Sequence, residues 1–213
     1  MQDSTERTDK QPTMIKYDTV RSARSIGQPL STPKAYKRLP ALTNSKWYKG
    51  ILLSQMAGTA DNNGAFDFVI SKMRRGTEPP PHVHSREDEF FYVLSGEMRA
   101  YVDGEVFTVA AGECMFFPRR TPHAWLITSE EIHTICVVTP GGFTDALNQM
   151  SAPAEWMEVP TDANTVTYAN ADLTETIKVQ ARYGVRLLTT DEIRTEMPEF
   201  PLDPTSHPFP KSS

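Results

Sequence analysis

The sequence has little cysteine, no long apolar run and no excess of basic residues, and each shortage argues against a class of protein. Its two cysteines are too few for a disulfide scaffold. No apolar stretch approaches the roughly 20 residues that span a membrane, and residues 1–10 lack the apolar core of a secretory signal. Lys and Arg total 22 against 27 Asp and Glu, so a formal charge of -5 leaves no basic footprint for nucleic acid. We therefore expect a soluble, cytoplasmic protein that binds a small molecule rather than nucleic acid or a membrane.

The cysteines themselves, Cys114 and Cys136, lie in apolar, strand-like runs, where unpaired cysteine commonly behaves as a small buried hydrophobe. A disulfide between them would require neighbouring strands, and a reducing cytosol favours free thiols. We predict free thiols that do not bind metal.

The chain divides by composition into three parts. Residues 1–36 are polar with little apolar periodicity, which predicts an N-terminal arm that is partly disordered or packs on a partner. Residues 37–158 contain short apolar runs separated by turn signals, as expected of one β domain. Residues 159–213 contain a helix-like stretch and then a proline-rich tail. At 213 residues the chain is long enough for one well-buried core.

The middle of the chain shows many short strand-like runs and almost no helical periodicity. Asp103-Gly104 is a strong two-residue hairpin signal inside one of them. The pattern predicts an all-β sandwich or small barrel. Helices are predicted outside it, over Phe143–Met150 and Asp172–Tyr183. The clearest strand-like runs are 65–73, 89–96, 98–112, 114–117, 123–128 and 132–139.

The most informative stretch has the pattern G-x(5)-H-x-H-x(4)-E-x(6)-G, beginning at Gly76 and containing His82, His84 and Glu89. Two histidines two apart project from the same face of a strand, because strand side chains alternate. Glu89 can join them if a turn or bulge intervenes, and the polar residues before it suit one. His123 is the natural fourth ligand. A divalent transition metal site is therefore predicted.

This stretch resembles the first sequence motif of the cupin superfamily. Gly112, Pro118 and His123 match much of the second motif, G-x(5)-P-x-G-x(2)-H-x(3)-N. Arg120 stands where that motif usually has Gly, and Ile127 where it usually has Asn. The resemblance is strongest to the single-domain, quercetinase-like cupins. It implies a single small β-barrel of the jelly-roll type.

The resemblance, which covers residues 45–150, also implies a metal centre of three histidines and one glutamate: His82, His84, Glu89 and His123. One divalent ion per chain is expected, and Fe, Mn, Ni, Co, Cu and Zn all suit such ligands. The implied activity is that of a dioxygenase.

Two reaction schemes suit these ligands. In one, an enolate or catecholate substrate binds the metal and reacts with O2, with Glu89 as general base or ligand. In the other, a substrate carbonyl is polarised and Glu89 or a neighbour moves a proton without O2, as in an isomerase, dehydratase or cyclase. A non-catalytic, ligand-binding protein is disfavoured because all four ligand residues are present.

The substrate pocket is predicted by strand parity. Phe91 and Val93 share the face of Glu89, whereas Trp125 and Ile127 share the face of His123. Such a wall is apolar and aromatic, and suits a flat aromatic, flavonol-like or polyketide-like substrate. Arg120 is the candidate contact for an anionic group at the barrel mouth.

Two further expectations concern residues beside the site. Glu87 and Asp88 are predicted to lie in a solvated turn, with a hydrogen bond to a ligand histidine as the alternative. Phe90 and Tyr92 are expected on the outer face of the barrel, where a second copy of the chain or the C-terminal helix could cover them. We therefore expect a homodimer.

Overall fold

Two antiparallel β-sheets form the centre of the computed structural model, which describes residues 32–162 and 165–202. In chain order the strands are β1 (Ser45–Tyr48), β2 (Ile51–Ala57), β3 (Asp67–Arg74), β4 (His82–His84), β5 (Asp88–Ser95), β6 (Glu97–Val102), β7 (Glu105–Ala110), β8 (Cys114–Phe117), β9 (His123–Ile127), β10 (Glu131–Thr139), β11 (Ala152–Pro153) and β12 (Val185–Leu187). One sheet has the order β11-β1-β2-β3-β10-β5-β8, and the other has the order β12-β4-β9-β6-β7. The predicted all-β fold is confirmed.

Helices are few and short among the described residues. After a 3-10 turn at Leu42–Asn44, the helices are α1 (Thr59–Asn62), α2 (Phe143–Met150), α3 (Thr174–Arg182) and α4 (Thr190–Glu196). The helices predicted near α2 and α3 are therefore confirmed, and α4 was not predicted. No helix in the described part of the chain is long and apolar enough to cross a membrane.

The core lies between the two sheets because several strands turn one face inward. In β3 every second residue is buried, and Val69 and Met73 point inward while Phe68 and Ile70 share the half-buried face. The Asp103-Gly104 hairpin joins β6 to β7, as predicted, with both residues at positive φ. Further core residues come from several strands of both sheets: Phe91, Val93, Met98, Val109, Phe117, Trp125, Ile127 and Ile132.

The C-terminal segment packs on the five-stranded sheet. Its strand β12 pairs antiparallel with β4, so that Val185 faces His84 and Leu187 faces His82 across the ladder. Helix α4 then begins at a capping box, in which the Thr189 side chain accepts from the backbone N–H of Glu192. A second apolar cluster forms beneath this helix from Tyr101, Ala124, Leu188, Ile193, Met197 and Phe200. The C-terminal segment thus covers the outer side of the strand that carries the two histidines.

The predicted three-part division of the chain stays a prediction. Residues 1–31 and 203–213, which include most of the arm and the proline-rich tail, lie outside the described residues. Near the start of the described chain, the Tyr36 hydroxyl donates to the Met56 carbonyl over 2.9 Å, and Arg38 pairs with Asp61 over 2.9 Å. These contacts attach residues 36–38 to the domain. Both cysteines are free thiols.

Candidate metal centre

Strand β4 turns its two histidines inward. His82 and His84 are 5% and 1% exposed. Val83 between them points the other way and packs against the cluster beneath α4. The alternation expected from their spacing therefore places both imidazoles on the inner face.

The other two predicted ligands come from neighbouring positions in the two sheets. His123 is the first residue of β9, directly opposite His82 in the ladder with β4. Glu89 is near the start of β5 in the seven-stranded sheet, where it lies between Val138 and Phe117. One ligand atom from each of the four side chains lies within 4.8 Å of the others. Both sheets therefore contribute to one buried cluster.

The ligand atoms of this cluster fit a metal ion. Glu89 Oε2 lies 3.5 Å from His123 Nε2 and 4.0 Å from His84 Nε2. Two ligands that are each about 2.1 Å from an ion are at most about 4.2 Å apart, so both separations suit a shared cation after small adjustments. All three atoms are buried and have no hydrogen-bond partner among the described residues. Buried polar atoms without partners are rare in proteins, and a cation here would satisfy them.

Backbone carbonyl groups fix the orientation of two of the imidazole rings. His82 Nδ1 lies 2.9 Å from the Pro80 carbonyl, and His123 Nδ1 lies 2.9 Å from the Thr121 carbonyl. Because a carbonyl only accepts, each Nδ1 must carry the proton and donate it. Each ring therefore presents the lone pair of Nε2, which is the form that binds a metal.

The charges in the cluster also suit a cation. Burial, with the nearby His123 and His84, lowers the pKa of His82 well below its ordinary value, so this imidazole is neutral. Burial alone would raise the pKa of Glu89, but the adjacent His123 ring and the nearby His84 and His82 lower it to about 2. The cluster therefore presents a carboxylate beside neutral nitrogen, a ligand set that suits divalent transition metals.

Glu87 is part of the site, and the prediction that it lies in a solvated turn is wrong. Its side chain is buried, and Oε2 lies 3.4 Å from Nδ1 of His84. The local chain accounts for this, because Asp88 pairs with Arg119 over 2.6 Å at the surface while Glu87 turns inward. The alternative given for this pair, a hydrogen bond to a ligand histidine, describes Glu87.

Replacing Glu87 with alanine is expected to lower the affinity for the metal by about 10–100-fold, because His84 loses the group that orients it. The measurement is a competition titration of the metal-free protein with a chromogenic chelator. Glu87→Gln, whose amide oxygen can still accept from Nδ1, should restore most of the affinity. Asp88→Ala is the matched control, since its carboxylate faces Arg119 at the surface. Equal affinities for Glu87→Ala and Asp88→Ala would contradict the role of Glu87.

Cys136 also touches the cluster, and nothing in its sequence context indicated this. Its thiol donates to Glu89 Oε1 over 3.3 Å. Burial and the neighbouring Glu89 carboxylate raise the pKa of this thiol well above its ordinary value, so the sulfur keeps its proton. One oxygen of Glu89 is thus held by Cys136 while the other faces the histidines.

An apolar cavity of about 90 Å³ opens beside the cluster. Its lining residues come from both sheets, from α2 and from the C-terminal segment, and include Ile51, Met73, His82, His84, Glu89, Phe91, Trp125, Cys136, Phe143 and Leu187. The Nε1 of Trp125 is buried and has no hydrogen-bond partner in the described chain, so this ring also offers a donor. Pockets for drug-sized ligands measure about 300–1,000 Å³. The cavity therefore suits a compact ligand.

Comparison with known proteins identifies the central part of the chain. Residues 69–139 match the family model described as the cupin domain. The match covers about a third of the chain and likens that part to cupin domains. The match includes β4 and the start of β9, and therefore all four residues of the buried cluster. The arrangement of two antiparallel sheets is the jelly-roll barrel of this domain, as predicted.

Individual relatives are distant. The chain is 25% identical over 113 residues to quercetin 2,3-dioxygenase of Bacillus subtilis (strain 168), which covers 53% of this chain and 34% of the relative. The match thus spans about a third of that protein. Among solved structures, KdgF from Halomonas sp. is 25% identical with a TM-score of 0.41, covering 45% of this chain and 85% of that chain. An RmlC-like cupin from Shewanella frigidimarina is 24% identical with a TM-score of 0.39, covering 44% and 78% respectively.

The substrate residues predicted for the cupin domain are not all at the cavity. Phe91 and Trp125 line it. Val93 and Ile127 pack in the hydrophobic core, where they are 0% and 3% exposed. Arg120 is exposed on the loop before β9. The substrate contacts of all five stay predictions.

Arg120 shows why the second cupin motif usually has glycine at this position. Its φ is 66°, in the left-handed region that favours glycine, and its backbone N–H donates to the His84 carbonyl over 2.6 Å. The loop therefore keeps its conformation with arginine in place, at a cost of about 1–2 kcal/mol. This departure from the motif changes the side chain and leaves the contact with β4 intact.

Proposed function

We propose that this protein is a metal-dependent dioxygenase that acts on an aromatic or enolisable small molecule of flavonol-like or polyketide-like type. The observation that carries the proposal is the buried cluster, in which three histidine nitrogens and one carboxylate oxygen converge beside an apolar cavity. The distant similarity to quercetin 2,3-dioxygenase supports the reaction type. Fe, Mn, Ni, Co, Cu and Zn all remain candidates for the ion.

A divalent metal held by His82, His84, Glu89 and His123 would supply Lewis-acid or redox chemistry to an enolate substrate and O2. The chain's own residues provide the rest. Phe91 and Trp125 supply an aromatic wall that can bind a flat substrate and exclude water. Glu89 is proposed to accept the enol proton as the substrate enters, while Cys136 holds its second oxygen.

A non-redox isomerase, dehydratase or cyclase is the second candidate, because the same four residues would serve it. The cavity of about 90 Å³ is small for a flavonol and favours a compact substrate in either reaction. A non-catalytic, ligand-binding role is the weaker alternative, since the ligand cluster is complete.

The test is metal analysis of the purified protein by mass spectrometry, followed by turnover assays in air and under strict anaerobiosis. The substrates are quercetin and smaller 3-hydroxy-4-pyranones. We expect a redox-active ion, and loss of substrate matched by uptake of O2. Removal of the metal by a chelator should abolish turnover, and adding the ion back should restore it.

Zinc together with turnover that continues without O2 would overturn the dioxygenase and favour the non-redox enzyme. Full metal occupancy without turnover of any enolisable compound would favour a ligand-binding protein. A His123→Ala variant with unchanged activity would argue against the assigned site.

Assembly and location stay predictions. Phe90 and Tyr92 lie on the outer face, 40% and 44% exposed, and Phe90 packs on Phe116 with ring centroids 4.6 Å apart. We propose that a second copy of the chain covers this face, and that the protein is cytoplasmic. Light scattering would show a molar mass near twice the 23.9 kDa of one chain.

A further inference from the structure

The polar side chains that line the cavity from positions outside the matched residues 69–139 include Tyr48 of β1, Tyr168 of the turn before α3, and Gln180 of α3. They are 3%, 2% and 4% exposed. The rest of this wall is largely apolar. In an apolar pocket, a few polar atoms fix how the ligand is oriented. The hydrogen bonds among these three residues therefore decide which donor and acceptor atoms remain for a ligand.

The direction of those hydrogen bonds follows from the Tyr168 hydroxyl. It donates to the Tyr48 oxygen over 2.9 Å. Having given its proton, the Tyr168 oxygen can only accept from another group. Burial raises the pKa of Tyr168 well above its ordinary value, and the Gln180 side chain opposes the rise, as a donating amide N–H does. Because Gln180 Oε1 has no hydrogen-bond partner among the described residues, the nitrogen of this amide is the atom that faces Tyr168.

This arrangement leaves one acceptor and one donor for a ligand. Gln180 Oε1 is buried and has no hydrogen-bond partner among the described residues. The Tyr48 oxygen is occupied as an acceptor, so its own proton is the one left to give. Burial raises the pKa of Tyr48 to about 12, against the smaller effect of the Tyr168 hydrogen bond, and the proton stays in place at neutral pH. A buried acceptor with no partner is costly and rare in proteins, and a bound ligand would satisfy it.

We propose that Gln180 Oε1 and the Tyr48 hydroxyl form a subsite for a hydroxyl group of the substrate. The ligand hydroxyl donates to Gln180 and accepts from Tyr48. Tyr168 is a positioning residue, because it fixes the orientation of both. The inference rests on the proposed function, which assigns the enolisable group of the substrate to the metal centre. It narrows the substrate to an enolisable carbonyl compound that carries a separate hydroxyl group.

The test uses two small pyranones that share the same chelating group. Kojic acid carries a hydroxymethyl group where allomaltol has a methyl group, so the pair differs by one hydroxyl oxygen. Binding of each to the zinc-loaded protein is measured by calorimetry. Wild type is expected to bind kojic acid roughly tenfold more tightly than allomaltol, as one buried hydrogen bond allows. Gln180→Leu should bind both with affinities within roughly twofold of each other, and keep the wild-type affinity for allomaltol.

Gln149→Leu is the matched control, since it makes the same change on the exposed side of α2. It should retain the tenfold preference. Tyr48→Phe removes the hydroxyl that donates to the ligand and accepts from Tyr168, keeps the ring, and should also reduce the preference toward unity. This second variant decides the question if Gln180→Leu does not fold.

Equal binding of the two pyranones by wild type, or no binding of either, would overturn the subsite. A purely structural role for Gln180 would lower the melting temperature and change both affinities by the same factor, which also overturns it. The outcomes are separable from those of the proposed function. O2-dependent turnover without a preference for kojic acid would support the dioxygenase and refute the subsite. A preference for kojic acid without O2 consumption would support the subsite and refute the dioxygenase.

Discussion

The His84→Ala variant is expected to lose at least about 100-fold in metal affinity, more than substitutions that only reorient a ligand. His84 is 1% exposed and its Nε2 faces Glu89 and His123. No other side chain in the described chain is placed to replace that nitrogen in the cluster. The measurement is the metal content after dialysis, together with a chelator competition.

The control for this variant is His133→Ala, which removes a half-buried imidazole from β10 and leaves the four-residue cluster unchanged. It should retain wild-type metal content. Circular dichroism and the melting temperature of the metal-free proteins would show that both variants fold. Full occupancy in folded His84→Ala would refute the assignment of the site.

The Phe117→Ala variant is expected to lose about 3–5 kcal/mol of stability, the usual cost of removing a large buried side chain. Phe117 is 0% exposed and packs against Phe91 and Trp125 in the core. It also stacks on His123, with ring centroids 4.7 Å apart. The cavity left behind would loosen that histidine, so we expect weaker metal binding as well. Urea unfolding of the metal-free protein measures the first effect separately from the second.

Phe116→Ala provides the matched comparison, because Phe116 is adjacent in β8 and points to the opposite face. Its side chain is 42% exposed. Removing the Phe116 side chain should lower the free energy of unfolding by about 1 kcal/mol or less, mainly because its contact with Phe90 is lost. Similar unfolding free energies for the two variants would show that the assignment of Phe117 to the inner face of β8 and of Phe116 to the outer face is wrong.

Much of the fold is predictable because its determinants are local. Strand alternation over residues 65–73 and the Asp103-Gly104 turn depend on near neighbours only. The helices near Phe143–Met150 and Thr174–Arg182 follow from their own periodicity. Strand β12 and helix α4 were missed, because the short run at Val185–Leu187 becomes a strand only through its partner β4.

The candidate site was also predictable only where its determinants are local. The spacing of His82, His84 and Glu89 indicated a metal site, because two histidines two apart must share a face of a strand. The inward turn of Glu87 was not predictable, since Glu87 and Asp88 have the same chemical character. The packing around the two residues decides which carboxylate is buried and which pairs with Arg119.

The sequence by itself determined an all-β domain, through strand alternation and turn signals. It also indicated the four side chains of the buried cluster, through the spacing of His82 and His84 and the resemblance to the cupin motifs. Only the tertiary structure decided what surrounds them. Cys136 reaches Glu89 because β10 pairs with β5, and Gln180 reaches the cavity because α3 packs beside the barrel. Contacts between residues distant in sequence depend on how strands and helices pair and pack, and no local pattern records that arrangement.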